Sequence, residues 1–154
     1  MSTIRQVQIT FDCENPRRVA EFWKVALAYE DPPVPPGFDS WEALDATLPE
    51  EDQGSRWACQ DPTGVGPRLF FQRVPEQKVV KNRVHLDVRV GLGLRGAERL
   101  EALETEAARL EQHGAKRLYL LEADGVNESC LVMQDIEGNE SASTERDART
   151  RRAP

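Results

Sequence analysis

The chain has 154 residues, 27 acidic against 20 basic side chains, and a formal charge of −7. That length suits one domain or two small halves sharing a core, and it buries enough apolar surface to fold without disulfides or metals. No apolar run approaches the roughly 18 residues of a membrane helix, and the acidic balance speaks against a nucleic-acid binder that works by neutralising phosphates.

The first residues carry no basic-then-apolar leader, which predicts a cytoplasmic protein with Cys13, Cys59 and Cys130 reduced. Val7 to Asp12 alternates apolar and polar residues, as a half-buried strand does. A helix is predicted over 16–28, with Asn15 as N-cap and Pro16 at its first position. Val19, Phe22, Trp23, Ala26 and Leu27 share one helical face, and Phe22 and Trp23 are expected in the core. Residues 31–38 hold four prolines and a glycine and predict a loop or irregular edge. A short helix should start after Ser40, with Trp41 either in the core or roofing a pocket. Strands are predicted over 55–60 and 68–74, on either side of a turn opening at Asp61.

The second half repeats this order about half a chain later. Residues 84–90 alternate as a strand, a helix is predicted over 97–113 with Gly114 as its stop, and strands follow over 116–122 and 129–134. A second turn opens at Asp135. The strand expected after Gly138 is weak or missing, because 139–143 have poor strand propensity. The last fourteen residues contain no aliphatic side chain larger than alanine and read as a disordered tail. A reading-frame change or loss of a terminal strand would account for such an end. The expected domains are a first module over 1–78, a second over 79–142, and a tail over 143–154.

Gly91, Gly93 and Gly96 match the G-x-G-x-x-G pattern between a strand and a helix. The preceding strand is half polar, whereas a central parallel strand should be apolar throughout. Too few helices are predicted to cover both faces of a parallel sheet. A flexible strand-to-helix loop is the better reading.

A strand–helix–strands unit occurring twice resembles the vicinal oxygen chelate superfamily, which includes glyoxalase I, bleomycin-resistance proteins and extradiol dioxygenases. The resemblance is carried by Asp12-Cys13-Glu14-Asn15-Pro16 with Ala20-Glu21-Phe22-Trp23, by the run from Asp61 to Glu76, by Lys81 to Asp87, and by the turn from Asp135 to Glu140. It covers residues 4 to about 140 and points to the glyoxalase-like subgroup. It implies an α+β fold of two tandem βαβββ modules, forming curved, mainly antiparallel half-barrels around a shared cavity. It also implies a frequent homodimer, and a lost terminal strand would add an open sheet edge that invites pairing.

Superfamily metal ligands come from the first and last strands of each module. Carried over, those places fall on Gln8, His85, Gln72 and, within a residue or two, Ala142. One imidazole and two carboxamides make a poor divalent site, so a metal cofactor is less expected than a pocket without one. His113, at a helix end, is expected to serve the helix dipole. His85 is the candidate catalytic or hydrogen-bonding group, with Asp87 on the same strand face to orient it or take a proton. Gln8, Gln72, Asp87, Phe70, Arg83 and Trp41 are the candidate ligand-binding residues. Arg68, Arg73, Lys81 and Arg83 are cations that would favour an anionic or polar ligand at a cavity mouth, or else solvated strand ends.

Three functions are compatible with these residues. One is a protein that binds a small, aromatic or anionic molecule in the cavity between the modules, without a complete catalytic metal site, as a drug-sequestering resistance protein does. Another is a divalent-metal-dependent lyase, isomerase or dioxygenase using His85 with Gln8 and Gln72. The third is an interaction protein whose pocket has decayed.

Overall fold

The alternation of the first strand is realised as β1 (Gln8–Cys13), whose even-numbered residues are exposed. The computed structural model describes residues 5–124 and 128–144, and the chain divides after Lys78 into two compact units. The first unit continues with α1 (Pro16–Leu27), α2 (Trp41–Asp45), a short 3-10 turn (Glu50–Asp52), β2 (Arg56–Cys59) and β3 (Arg68–Arg73). Its sheet has the order β1-β3-β2, with β1 parallel and β2 antiparallel to β3.

α1 starts as its sequence dictates. The Asn15 side chain accepts from the Arg18 N–H at 3.0 Å, and Pro16 occupies the first turn, where no N–H is needed. The helix buries Val19, Ala20, Phe22 and Trp23. Phe11 bridges helix and sheet, its ring 5.3 Å from Trp23 and 5.2 Å from Phe71. Cys13 and Cys59 are buried in the same layer, and burial pushes the Cys59 thiol up to about 12.

The opposite sheet face carries no helix of α1 type. Register puts Gln8 beside Arg68, Thr10 beside Phe70 and Asp12 beside Gln72 on it, with Ala58 and Arg56 completing the row. Where a third strand after the helix was expected, there is a single bridge between Glu30 and Gln60. Four prolines between 32 and 36 remove the N–H groups a longer strand would need. The first module is therefore βαββ with a one-residue remnant of its missing strand.

The second unit holds β4 (Leu86–Arg89), α3 (Gly96–Gln112), β5 (Lys116–Leu121), β6 (Cys130–Gln134) and β7 (Glu140–Thr144), in the sheet order β4-β7-β6-β5. It is a full βαβββ module. Leu103, Ala107 and Leu110 of α3 are buried, as are Leu131 and Met133 of β6. Gly91 and Gly93, at φ of 67° and 83°, form a plain connection from β4 to α3.

β7 corrects three expectations. The terminal strand is present, it runs to Thr144 rather than stopping at 142, and it lies between two neighbours instead of leaving an open edge. Its low strand propensity is overridden by partners on both sides, and the small Ala142 and Ser143 are 4% and 3% exposed in that tight place. The rest of the expected tail, 145–154, lies outside the described residues.

The two Asp turns confirm the repeat at the level of hydrogen bonds. Asp61 accepts from the N–H of Thr63 at 2.8 Å and of Gly66 at 2.6 Å. Asp135 accepts from the N–H groups of Glu137 and Asn139, both at 2.9 Å. The Gly66 N–H, with help from Thr63, holds the Asp61 carboxyl below its ordinary range. Gly66 is also a close approach, since a Cβ there would lie 2.2 Å from the Tyr29 hydroxyl oxygen.

Candidate functional site

The residues between α1 and β2 pass round the β2 edge and cover part of the helix-free sheet face. Ser40 caps α2, its hydroxyl accepting from the Ala43 N–H at 3.0 Å. Trp41, Leu44 and Leu48 follow at helical spacing and turn one apolar stripe inward. The Trp41 indole N–H donates to the Pro32 carbonyl at 2.7 Å, which ties the roof to the proline-rich segment. Arg17 of α1 pairs with Glu42 of α2, and both oxygens of Asp45 accept from the Gly54 N–H at 3.0 and 2.9 Å.

Beneath this roof is a cavity of about 300 Å³, walled by Trp41, Leu44, Leu48 and Pro32 above and by Phe70, Ala58, Arg56 and Arg68 of the sheet below. The volume lies at the small end of ligand pockets. Its apolar walls include two guanidinium groups. Arg68 Nη1 donates to Gln8 Oε1 at 2.5 Å, and its guanidinium carbon sits 5.6 Å over the Phe70 ring. Among the described residues no carboxylate pairs with Arg56 or Arg68.

The structure joins some of the sequence-predicted residues and separates others. Trp41 and Phe70 line one cavity, and Gln8 reaches it through Arg68. Gln72 is exposed, does not line the cavity, and donates from Nε2 to Asp12 at 2.7 Å. Gln8 and Gln72 sit four residues apart along the β1–β3 register, about 13 Å at a strand's usual rise. Register also matches Ala142, beside Asp87, with Phe70, beside Thr10; the counterpart of Gln72 is Thr144.

His85, Asp87 and Arg83 belong to the second unit. His85 lies one residue before β4, and its Nδ1 is 2.9 Å from Asp87 Oδ1, so the Nδ1–H tautomer donates to that carboxylate. Both side chains are close to half exposed. Arg83 is exposed in the bend before the strand. His113 caps the C-terminal end of α3.

A divalent ion does not fit the donor set of the first unit. Gln8 offers its oxygen to a guanidinium, whose charge would repel a cation, and Gln72 is committed elsewhere. No group of three or more His, Cys, Asp or Glu side chains able to hold an ion occurs among the described residues.

Arg56, Leu44, Leu48 and Asp45 were not singled out by sequence reasoning. A signal existed, because Trp41, Leu44 and Leu48 at i, i+3 and i+7 behind a cap form an apolar helical stripe.

A glyoxalase-like domain family model matches residues 8–142. No curated protein matches the chain. Among solved structures, a FosX fosfomycin resistance protein from Listeria monocytogenes, a variant complexed with Mn(II) and 1S,2S-dihydroxypropylphosphonic acid, aligns with a TM-score of 0.65 at 9% identity over 98% of each chain. FosX from Mesorhizobium loti aligns with a TM-score of 0.60 at 8% identity, over 99% of this chain and 100% of that one. A glyoxylase/bleomycin resistance protein/dioxygenase domain from Frankia sp. EAN1pec gives 0.54 at 13% identity, over 94% and 98%. Identities this low speak for the fold alone. No helix among the described residues is long and apolar enough to cross a membrane.

Proposed function

The chain belongs to the glyoxalase-like domain family of the vicinal oxygen chelate superfamily, and from that premise we propose that it binds a small aromatic or anionic molecule without a complete catalytic metal site. The reading puts the ligand in the first unit, under α2. The observation that carries it is the apolar cavity of about 300 Å³ with two arginines that lack a carboxylate partner among the described residues. Ligand pockets have this character, with mostly apolar walls and a few polar groups that fix orientation.

The test is a thermal-shift screen of small aromatic and anionic compounds on the wild type and on Leu44→Trp, which fills the cavity. A ligand at a hundred times its Kd adds about 2.7 kcal/mol to the folded state. Hits that vanish in Leu44→Trp support the pocket. Hits that persist unchanged in the filled variant place binding elsewhere.

The His85–Asp87 hydrogen bond favours a second reading, in which an oriented imidazole transfers protons or ligates a metal in a lyase, isomerase or dioxygenase. The Listeria FosX neighbour is complexed with Mn(II), but here Gln8 and Gln72 do not converge with each other. Metal analysis of the purified protein, with ligand binding before and after chelation, separates the two readings. Binding unchanged by chelation supports the first.

A further inference from the structure

Gln8 stands where the family resemblance expects a first-strand metal ligand, yet its oxygen is occupied by an organic cation. Arg68 is held twice, by the hydrogen bond to Gln8 Oε1 and by a cation–π contact over the Phe70 ring. A guanidinium that is already ordered loses little freedom when it binds an anion. Its remaining N–H groups form a planar fork suited to a carboxylate. Arg56, also on the cavity wall, adds a second positive charge. The one carboxylate on the wall, Asp45, has both oxygens accepting from Gly54. Among the described residues Asp45 pairs with neither arginine, so both guanidinium groups are left to meet an anionic ligand, and the other walls include Trp41, Phe70, Leu44 and Leu48.

We propose that this cavity selects flat aromatic monocarboxylates, with Arg68 as the specificity-determining residue and Gln8 as the positioning residue that aims it. The guanidinium does the electrostatic work that a divalent ion would do beside a first-strand ligand. The ring lies between Trp41 and Phe70, and the carboxylate meets the fork of Arg68. The inference rests on reading the cavity as a ligand site, and its test keeps the two apart.

The experiment is calorimetric titration of benzoate and of its neutral isostere benzamide into the chelator-treated full chain, at low and high salt. Benzoate should bind about tenfold or more tightly than benzamide, and added salt should erode that preference. Arg68→Gln should bring the ratio close to one while leaving benzamide binding in place. Arg56→Gln should lower the ratio by less. Gln8→Ala should lower the benzoate preference with the unfolding temperature unchanged, a selectivity effect that a merely structural role would not produce.

Equal binding of the two probes overturns the carboxylate assignment but leaves the pocket standing. A benzoate preference that survives Arg68→Gln overturns the role of Arg68. If neither probe binds while the wider screen yields hits sensitive to Leu44→Trp, the ligand class is wrong and the pocket reading holds. If neither probe binds and the screen yields no such hits, both fall.

Discussion

The two units run the same chain path to opposite local chemistry. In the first, the register places Gln8 beside Arg68 and Thr10 beside Phe70 on the helix-free face. In the second, the matching places hold Glu140 and, beside Asp87, Ala142. An arginine in one copy thus answers a glutamate in the other, and that glutamate is buried against Lys81. The first copy has traded a sheet strand for a roof; the second has kept four strands. A repeated backbone is held by its helix-facing residues, Phe11 and Trp23 in one copy and Leu103, Leu131 and Met133 in the other. The opposite face is released to diverge.

The comparison is broken most severely at β7. Truncation after Gly138 removes the strand that pairs with both β4 and β6. Amide exchange should then show β4 and β6 unprotected, with the second unit no longer unfolding cooperatively. Protection surviving in β4 would make β7 dispensable, as poor propensity alone had suggested.

Next in size are the helix-facing cores. Trp23→Ala should cost about 3–5 kcal/mol and Leu103→Ala about 2–5 kcal/mol in denaturant unfolding, since both side chains are 1% exposed or less. A cost below about 1 kcal/mol for either would show that its copy is not organised around that contact.

The Asp turns give a smaller and more discriminating pair. Asp135 is buried and accepts from two N–H groups and from the Asn139 amide. Asp135→Ala should therefore cost roughly 1–3 kcal/mol. Asp61 reads out through pH instead. Its pKa is lowered from an ordinary value near 3.8, so its contribution is fully present above that value and is lost as pH falls through the folded-state value. Asp61→Asn should flatten the acid limb of the stability–pH curve. An unchanged acid limb would locate that dependence elsewhere.

The smallest effect belongs to His85. Its pair with Asp87 is close to half exposed on both sides, and such pairs are worth about 0–1 kcal/mol. His85→Ala should leave unfolding within that range. A loss comparable to Trp23→Ala would make His85 a structural residue and remove the case for a site there.

The fold was largely legible because its signals are local. Asn15 and Pro16 start α1, Ser40 starts α2, and Gly114 follows α3 at a left-handed φ of 96°. Alternation located β1 and β4, and the Asp turns marked the repeat. β7 escaped because its strand state comes from two neighbours, not from its own residues. The lining of the candidate site was half legible. Trp41, Phe70 and Gln8 emerged from type and position, but only the register shows that Gln8 meets Arg68 and that Gln72 lies four residues away. The roof's apolar stripe is a periodic signal, yet periodicity does not say which sheet face a helix will cover.

The buried thiols have a practical consequence. Burial pushes the Cys59 thiol up to about 12, which keeps it in the thiol form at neutral pH, and thiolate is the form that reacts. Cys13 is buried beside the same helix, while burial raises the Cys130 thiol in the second unit. Alkylation followed by peptide mapping would therefore time the opening of the first unit. Cys13 and Cys59 react when their layer opens, while the partly exposed Cys130 reports how fast an accessible thiol of the same chain is modified, so the native chain carries its own clock and its own control.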